Sequence, residues 1–163
     1  MYWKGHVGAS LLAYAPFGAE LVRAGDVAIA SLGAAVMVAL ATLPDLDHRL
    51  RLVNHRGFTH TAGFAVLVGA VVGAGGYHLA DAVAPLLGPA TTAGQVGFLV
   101  GTLSVLTHVV ADVVTPMGVR PLWPLADWHV SLSLVPAKSP IANYALLFAG
   151  VLASGSAMVV AVS

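Results

Sequence analysis

Cysteine is absent from the 163 residues. That excludes disulfides and thiolate metal sites, so any metal must be held by imidazole, carboxylate, hydroxyl or backbone oxygen. Charge is equally scarce: 9% of residues are charged, and seven Lys and Arg offset seven Asp and Glu. No broad basic surface results, and nucleic acid binding is disfavoured. Neither His-Glu-x-x-His nor Gly-x-Ser-x-Gly occurs, which argues against intramembrane proteolysis. There is no clear internal repeat or low-complexity tail, and the one long polar segment covers 113–138. What the chain has in abundance is apolar: 58% of residues are hydrophobic and the mean hydropathy is +0.89. These values lie far from those of soluble domains and define a membrane protein.

Stretches free of Asp, Glu, Lys and Arg run over 27–43, 61–80, 82–111 and 139–163. Each can supply the helix of roughly 17 to 25 residues that a bilayer core requires. The third is too long for one span, and Pro85, Gly88, Pro89 and Gly94 predict a loop over 81–94 with a helix from about Gln95. Residues 7–22 form a weaker segment, with Pro16 inside it and Glu20 near its end, either a short kinked span or an interfacial helix. Lys4 before an apolar patch and Ala13-Tyr14-Ala15 resemble a secretory leader and its cleavage site, but the apolar core between them is too short for that reading. The expected fold is all-α: a polytopic membrane bundle of about five helices, with 1–163 as a single domain. Gly69 with Gly73, and Gly97 with Gly101, have the four-residue spacing that lets membrane helices approach closely.

With five spans, Lys4, Arg49, Arg51, Arg56, Arg120 and Lys138 fall on one side of the membrane and only Arg23 on the other. Six against one predicts that the first side faces the cytoplasm. His6, Asp45, Asp47, His55, His60, His108 and Asp112 fall on that same side, although none of them enters the count.

His108 and Asp112 are four residues apart at the end of a predicted helix, so they share a face and can bind one ion. The bland alternative is a His favoured by the helix dipole with an Asp hydrogen-bonded to it. Asp45 and Asp47 follow Pro44; two like charges this close repel unless a cation or one of Arg49, Arg51 and Arg56 lies between them. Thr59 and His60 stand at the entry to the next helix, with Thr59 placed to cap its free amides. His6 opens the first segment in the same way. Several segment ends therefore meet in one place, and mixed imidazole and carboxylate ligands suit zinc, with manganese or iron as alternatives. His55 and His129 are weaker candidates, His129 fitting an aromatic interfacial belt beside Trp128. His78 reads as an interfacial residue at the opposite end.

The N-terminal His, Leu43-Pro44-Asp45-Leu46-Asp47-His48, His55-Arg56-Gly57-Phe58-Thr59-His60, and His108 to Asp112 followed by Thr115-Pro116-Met117-Gly118 together resemble the YdjM-like family of membrane-bound metal-dependent hydrolases. The resemblance covers roughly residues 5 to 124. That family is similar to the zinc-dependent phospholipase C and single-strand nuclease superfamily, an all-helical group. The resemblance implies Asp45, His60, His108 and Asp112 as direct ligands and His6 as a ligand of a neighbouring metal. The superfamily's further ligands have no clear counterpart after Asp112 unless His129 serves, so one or two ions are expected.

The leading expectation is hydrolysis of a phosphoester, small or lipid-linked, at the cytoplasmic membrane face. Asp47 (or Asp45) would accept a proton, and Arg56 (or Arg49) would stabilise developing charge. The alternatives are a metal-stabilised membrane scaffold without turnover and a proton or metal-ion transporter.

Overall fold

In lipid every backbone polar group must be satisfied within its own segment, and uncharged runs of Ala, Val, Leu and Gly do this as helices. A computed structural model describes residues 1–49, 56–80, 82 and 89–162. Among them are five α-helices: α1 (Trp3–Arg23), α2 (Val27–Leu40), α3 (Ala62–Ala80), α4 (Ala90–Val113) and α5 (Pro140–Val162). Short 3₁₀ segments at Pro44–Arg49 and Phe58–His60 join α2 to the site and lead into α3. Four stretches, Val27–Asp47, Ala62–Ala80, Ala90–Val113 and Pro140–Ala161, are long and apolar enough to cross a membrane. α1 has the length but carries Lys4, Glu20 and Arg23.

Two boundaries differ from expectation. α1 runs unbroken from Trp3 to Arg23 through Pro16. α4 starts at Ala90, directly after Pro89, so the predicted loop yields residues 90–94 to the helix. Gly94 is helical because α3 packs against it: a Cβ there would lie 3.2 Å from the Tyr77 Cβ and 3.4 Å from the Gly73 carbonyl.

Helix pairs interlock through their glycines. A Cβ on Gly97 would stand 2.8 Å from the Val72 carbonyl, and one on Gly101 2.9 Å from the Gly69 Cα. The expected small-residue spacing thus works as a seam between α3 and α4. A second seam joins the first and last helices: a Cβ on Gly8 would fall 2.4 Å from the backbone of Leu146, and one on Gly150 2.3 Å from the Gly8 carbonyl. Tyr14 donates to the Ala30 carbonyl at 2.9 Å and ties α1 to α2. Met37, Tyr14 and Val100 fill one core, and Ala65, Val68, Val105, Val109 and Val119 another. Outside these cores the side chains are apolar and exposed, among them Val71, Phe148 and Val159, as lipid contact requires.

Successive helices alternate in direction, so the starts of α1, α3 and α5 and the ends of α2 and α4 gather at one end of the bundle. The connection after α4 folds back over this end. Val119 and Val130 exchange backbone hydrogen bonds, Leu132 and Leu134 donate to the Val113 and Val114 carbonyls, and Pro121 accepts from the Ala62 amide. These bonds satisfy carbonyls that the end of α4 would otherwise leave orphaned.

Candidate metal centre

Each candidate ligand reaches the site because a helix ends beside it. α2 stops at Leu40, and the 3₁₀ segment after Pro44 turns Asp45 and Asp47 inward. Thr61 accepts from the Phe64 amide at 3.1 Å and caps α3. Thr59, the expected cap, is one 3₁₀ turn too early, and its hydroxyl donates instead to Asp47 Oδ2 at 2.8 Å. His108 and Asp112 occupy the last turns of α4, and His6 the first turns of α1. His6, His60, His108 and Asp112 are fully buried. Asp45 keeps a side chain 25% exposed and forms the open lip of the cluster.

Hydrogen bonds behind the rings settle which nitrogens face inward. His108 Nδ1 lies 2.8 Å from the Ala41 carbonyl, which can only accept, so Nδ1 donates there and Nε2 is the nitrogen turned to the cluster. His60 Nδ1 lies 3.0 Å from the Thr59 hydroxyl, whose own proton goes to Asp47. His60 Nε2 likewise turns to the cluster. Burial, the largest influence, holds the His60 imidazole below its ordinary pKa of 6.5, against the opposing pull of Asp45. The two Nε2 atoms face each other at 3.2 Å. Around them stand Asp45 Oδ1, 3.5 Å from His108 Nε2 and 3.7 Å from His60 Nε2, and Asp112 Oδ2, 3.6 Å from His60 Nε2 and 3.8 Å from His108 Nε2. Asp112 Oδ2 is buried with no hydrogen-bond partner.

Asp112 Oδ1, in contrast, is engaged by cations from the chain itself. Arg56 Nη2 reaches it at 3.0 Å, and the Met1 amino group bonds the same oxygen. Arg56 has a φ of 60°, a left-handed conformation uncommon for a non-glycine residue. Its amide donates to Asp47 Oδ2 at 3.1 Å, and its Nη1 to the Gly118 carbonyl at 2.8 Å and the Thr115 hydroxyl at 3.2 Å. The expected guanidinium partner of the Asp45 and Asp47 turn thus pairs with Asp112 and meets Asp47 only through its backbone. His6 stacks on His108 with ring centres 3.7 Å apart. Its Nε2 lies 3.8 Å from Asp45 Oδ2 and 3.1 Å from the Met1 carbonyl, and its Nδ1 has no partner.

Donors held about 2.0 to 2.2 Å from a tetrahedral zinc stand roughly 3.3 to 3.6 Å from one another. The separations of the His60 and His108 nitrogens from each other and from Asp45 and Asp112 run from 3.2 to 3.8 Å. His6, Asp45, His108 and Asp112 also each present a ligand atom within 4.8 Å of the others. The inward nitrogens and the orphaned carboxylate oxygen fit a divalent cation.

The other candidates fall elsewhere. Asp47 is buried, and its Oδ2 lies 3.4 Å from His60 Nδ1, behind the ring. His129 is exposed and bonded to the Met117 carbonyl, outside the cluster. His78 is exposed near the far end of α3. His55 and Arg51 lie outside the described residues, as do the side chains of His48 and Arg49. Sequence reasoning missed the Ala41 carbonyl, which no residue type announces. It also missed the part of Thr115 and Gly118 in seating Arg56, although Thr115-Pro116-Met117-Gly118 was the signal for it.

No curated protein and no solved structure matches the chain. The family model described as "YdjM inner membrane protein" matches residues 1–163. This charge-poor helical bundle with a buried His and Asp cluster at one end, matched over its whole length, belongs to the YdjM inner membrane protein family.

Proposed function

We propose that the protein is a metal-dependent hydrolase of phosphoesters acting at the membrane surface, related to the zinc-dependent phospholipase C superfamily. One observation carries this reading: the Nε2 atoms of His60 and His108 meet at 3.2 Å beside a buried Asp112 oxygen that has no hydrogen-bond partner among the described residues. A divalent cation placed there would be met by two imidazole nitrogens and a carboxylate at once. His60, His108, Asp45 and Asp112 would hold that ion, with His6 bordering it. Zinc suits this donor set best, and manganese or iron also fit. A divalent ion supplies acidification of water toward neutral pH and polarisation of a phosphoryl oxygen.

The chain's own groups do the rest. Asp45 is the exposed lip, so water and substrate arrive on its side, and its carboxylate accepts the water proton in place of the buried Asp47. Asp47 is a positioning residue that fixes the His60 ring through Thr59. Arg56 contributes a fixed positive charge beside Asp112 where negative charge develops. In the net reaction the P–O bond to the leaving alcohol breaks, a new P–O bond forms from water, and the proton passes through Asp45 to the leaving oxygen.

A metal-stabilised scaffold is the second reading, because the ligands come from separate chain segments that an ion would pin together. The exposure of Asp45 favours the enzyme, since structural ions are closed off from water. Transport is disfavoured by the confinement of the cluster to one end of the bundle. The basic-residue asymmetry orients that end to the cytoplasm; single cysteines at Asn54 and Thr92 should label from opposite faces, and labelling from the same face refutes this topology.

The test is elemental analysis and a phosphoester screen on purified protein and on a His108→Ala, Asp112→Ala double variant. Wild type should carry stoichiometric metal and hydrolyse a substrate, and the variant should lose both. Stoichiometric metal in the variant refutes the ligand assignment, and metal without turnover in the wild type leaves the scaffold.

A further inference from the structure

Beside the metal centre lies a cavity of about 730 Å³ between α1, α4 and α5. Its walls are apolar, built by Ala9, Leu103, Leu106, Ala145 and Ala149 among others. The hydroxyl in its lining, Thr107, already donates to the Ser104 carbonyl and pairs with Ser10. Apart from Met1 at the end nearest the site, these walls offer hydrocarbon and one satisfied hydroxyl.

We infer that this groove is the subsite for one hydrocarbon chain of a membrane phospholipid whose phosphate sits at the metal centre. The inference rests on the hydrolase reading and names its substrate class. Three observations select the occupant. The groove begins beside the site: Met1, whose amino group bonds Asp112, lines its upper end together with Ala111 and Val114. Along α4 and the residue that caps it, the wall runs from Val114 down to Leu103, about 16 Å at 1.5 Å per residue. That is one leaflet's depth, half of a hydrocarbon core about 30 Å thick. The α1 and α5 walls descend in the same sense, from Ala9 to Ala13 and from Ala142 to Ala149. Charge completes the match, because the polar end holds Arg56 and the metal ligands while the rest is hydrocarbon. A second apolar cavity, between α2, α3 and α4, is lined by Leu79 and Ala93 at the opposite end of the bundle.

The test uses the full chain in vesicles of phosphatidylethanolamine and phosphatidylglycerol, with a phosphatidylglycerol probe carrying a diazirine at mid-chain. Irradiation should label peptides containing Leu103, Leu106 or Leu146. Ala149→Phe, which fills the groove away from the metal ligands, should lower that labelling at least fivefold at unchanged metal content and melting temperature. It should also lower hydrolysis of lipid phosphoesters at least tenfold while sparing bis-p-nitrophenyl phosphate. Labelling spread evenly over all lipid-facing helices, or unchanged in Ala149→Phe, overturns the inference even if a soluble phosphoester is cleaved. Groove-specific labelling in a protein that cleaves no phosphoester upholds the chain subsite and overturns the hydrolase reading. Ala145→Phe, one turn nearer the site, is the replacement if Ala149→Phe fails to fold.

Discussion

Replacing Arg56 by Met removes three donated bonds at once: to Asp112 Oδ1 at 3.0 Å, to the Gly118 carbonyl at 2.8 Å and to the Thr115 hydroxyl at 3.2 Å. The ion pair is almost dry, with side chains 10% and 1% exposed. At an effective dielectric of about 20, unit charges at this separation attract by roughly 5 kcal/mol. Desolvation offsets much of that attraction, and the Met1 amino group stays bonded to the same oxygen, so the loss lies at the low end of the range of about 3 to 5 kcal/mol that removing one partner of a buried pair costs. For a chain of this size about 3 kcal/mol corresponds to a fall in melting temperature of roughly 6 to 12 °C. The fall should be largest in chelator-treated protein, because a bound cation would itself compensate Asp112. Arg56→Lys should recover part of the stability, since an ammonium can reach Asp112 but cannot present a planar fork to Gly118 and Thr115 together. Tryptophan-fluorescence melting with and without chelator measures all four differences. A metal-free Arg56→Met protein as stable as metal-free wild type refutes the buried-pair argument, and an identical loss with and without metal refutes the placement of a cation at Asp112.

Asp47→Asn keeps an oxygen for the Arg56 amide and the Thr59 hydroxyl but removes the charge behind His60. Metal affinity, measured by competition with a chromogenic chelator, should fall about 10- to 100-fold with the fold intact; unchanged affinity would show that Asp47 does not tune the ligand. Because burial lowers the His60 pKa below 6.5, the unfolded chain binds the extra proton first as pH falls. Metal-free protein should therefore lose stability as pH drops through 6.5 toward the lowered folded value, stay level above it, and show a flatter profile in His60→Asn; identical profiles would remove His60 as the cause. Gly8→Leu places side-chain atoms where the Leu146 backbone lies, so α1 must move away from α5. Stability should fall by roughly 1 to 3 kcal/mol or more, and a wild-type melting temperature would mean that the helices do not meet there.

The gathering of Asp45, His60, His108 and Asp112 at one end was legible because each sits where an apolar run ends, and because four-residue spacing on a helix is a local property. Their partners were less so. Thr59 and Thr61 differ only in which side of a 3₁₀ turn they occupy, and nothing in Phe58-Thr59-His60-Thr61 says where that turn gives way to α3. Arg56 was seen as a counter-charge, but its choice of Asp112 over Asp47 depends on a left-handed backbone that brings it to the end of α4. Gly94 looked like a helix breaker and is a packing surface, because contact with Tyr77 outweighs its poor propensity. The four uncharged runs gave the bundle readily, whereas α1, with its proline and charges, needed the last helix of the chain to explain its burial.

That dependence of α1 on α5 has a consequence for biosynthesis. A chain made from its N-terminus inserts Asp45, His60, His108 and Asp112 before residue 140 leaves the ribosome. His6 is translated earliest, yet the Gly8 and Gly150 seam that seats its helix exists only once α5 is in the membrane. A nascent chain can gather Asp45, His60, His108 and Asp112 ahead of time, but the seating of His6 and one wall of the apolar groove arrive with α5. Insertion of α5 thereby becomes the step that completes the cluster.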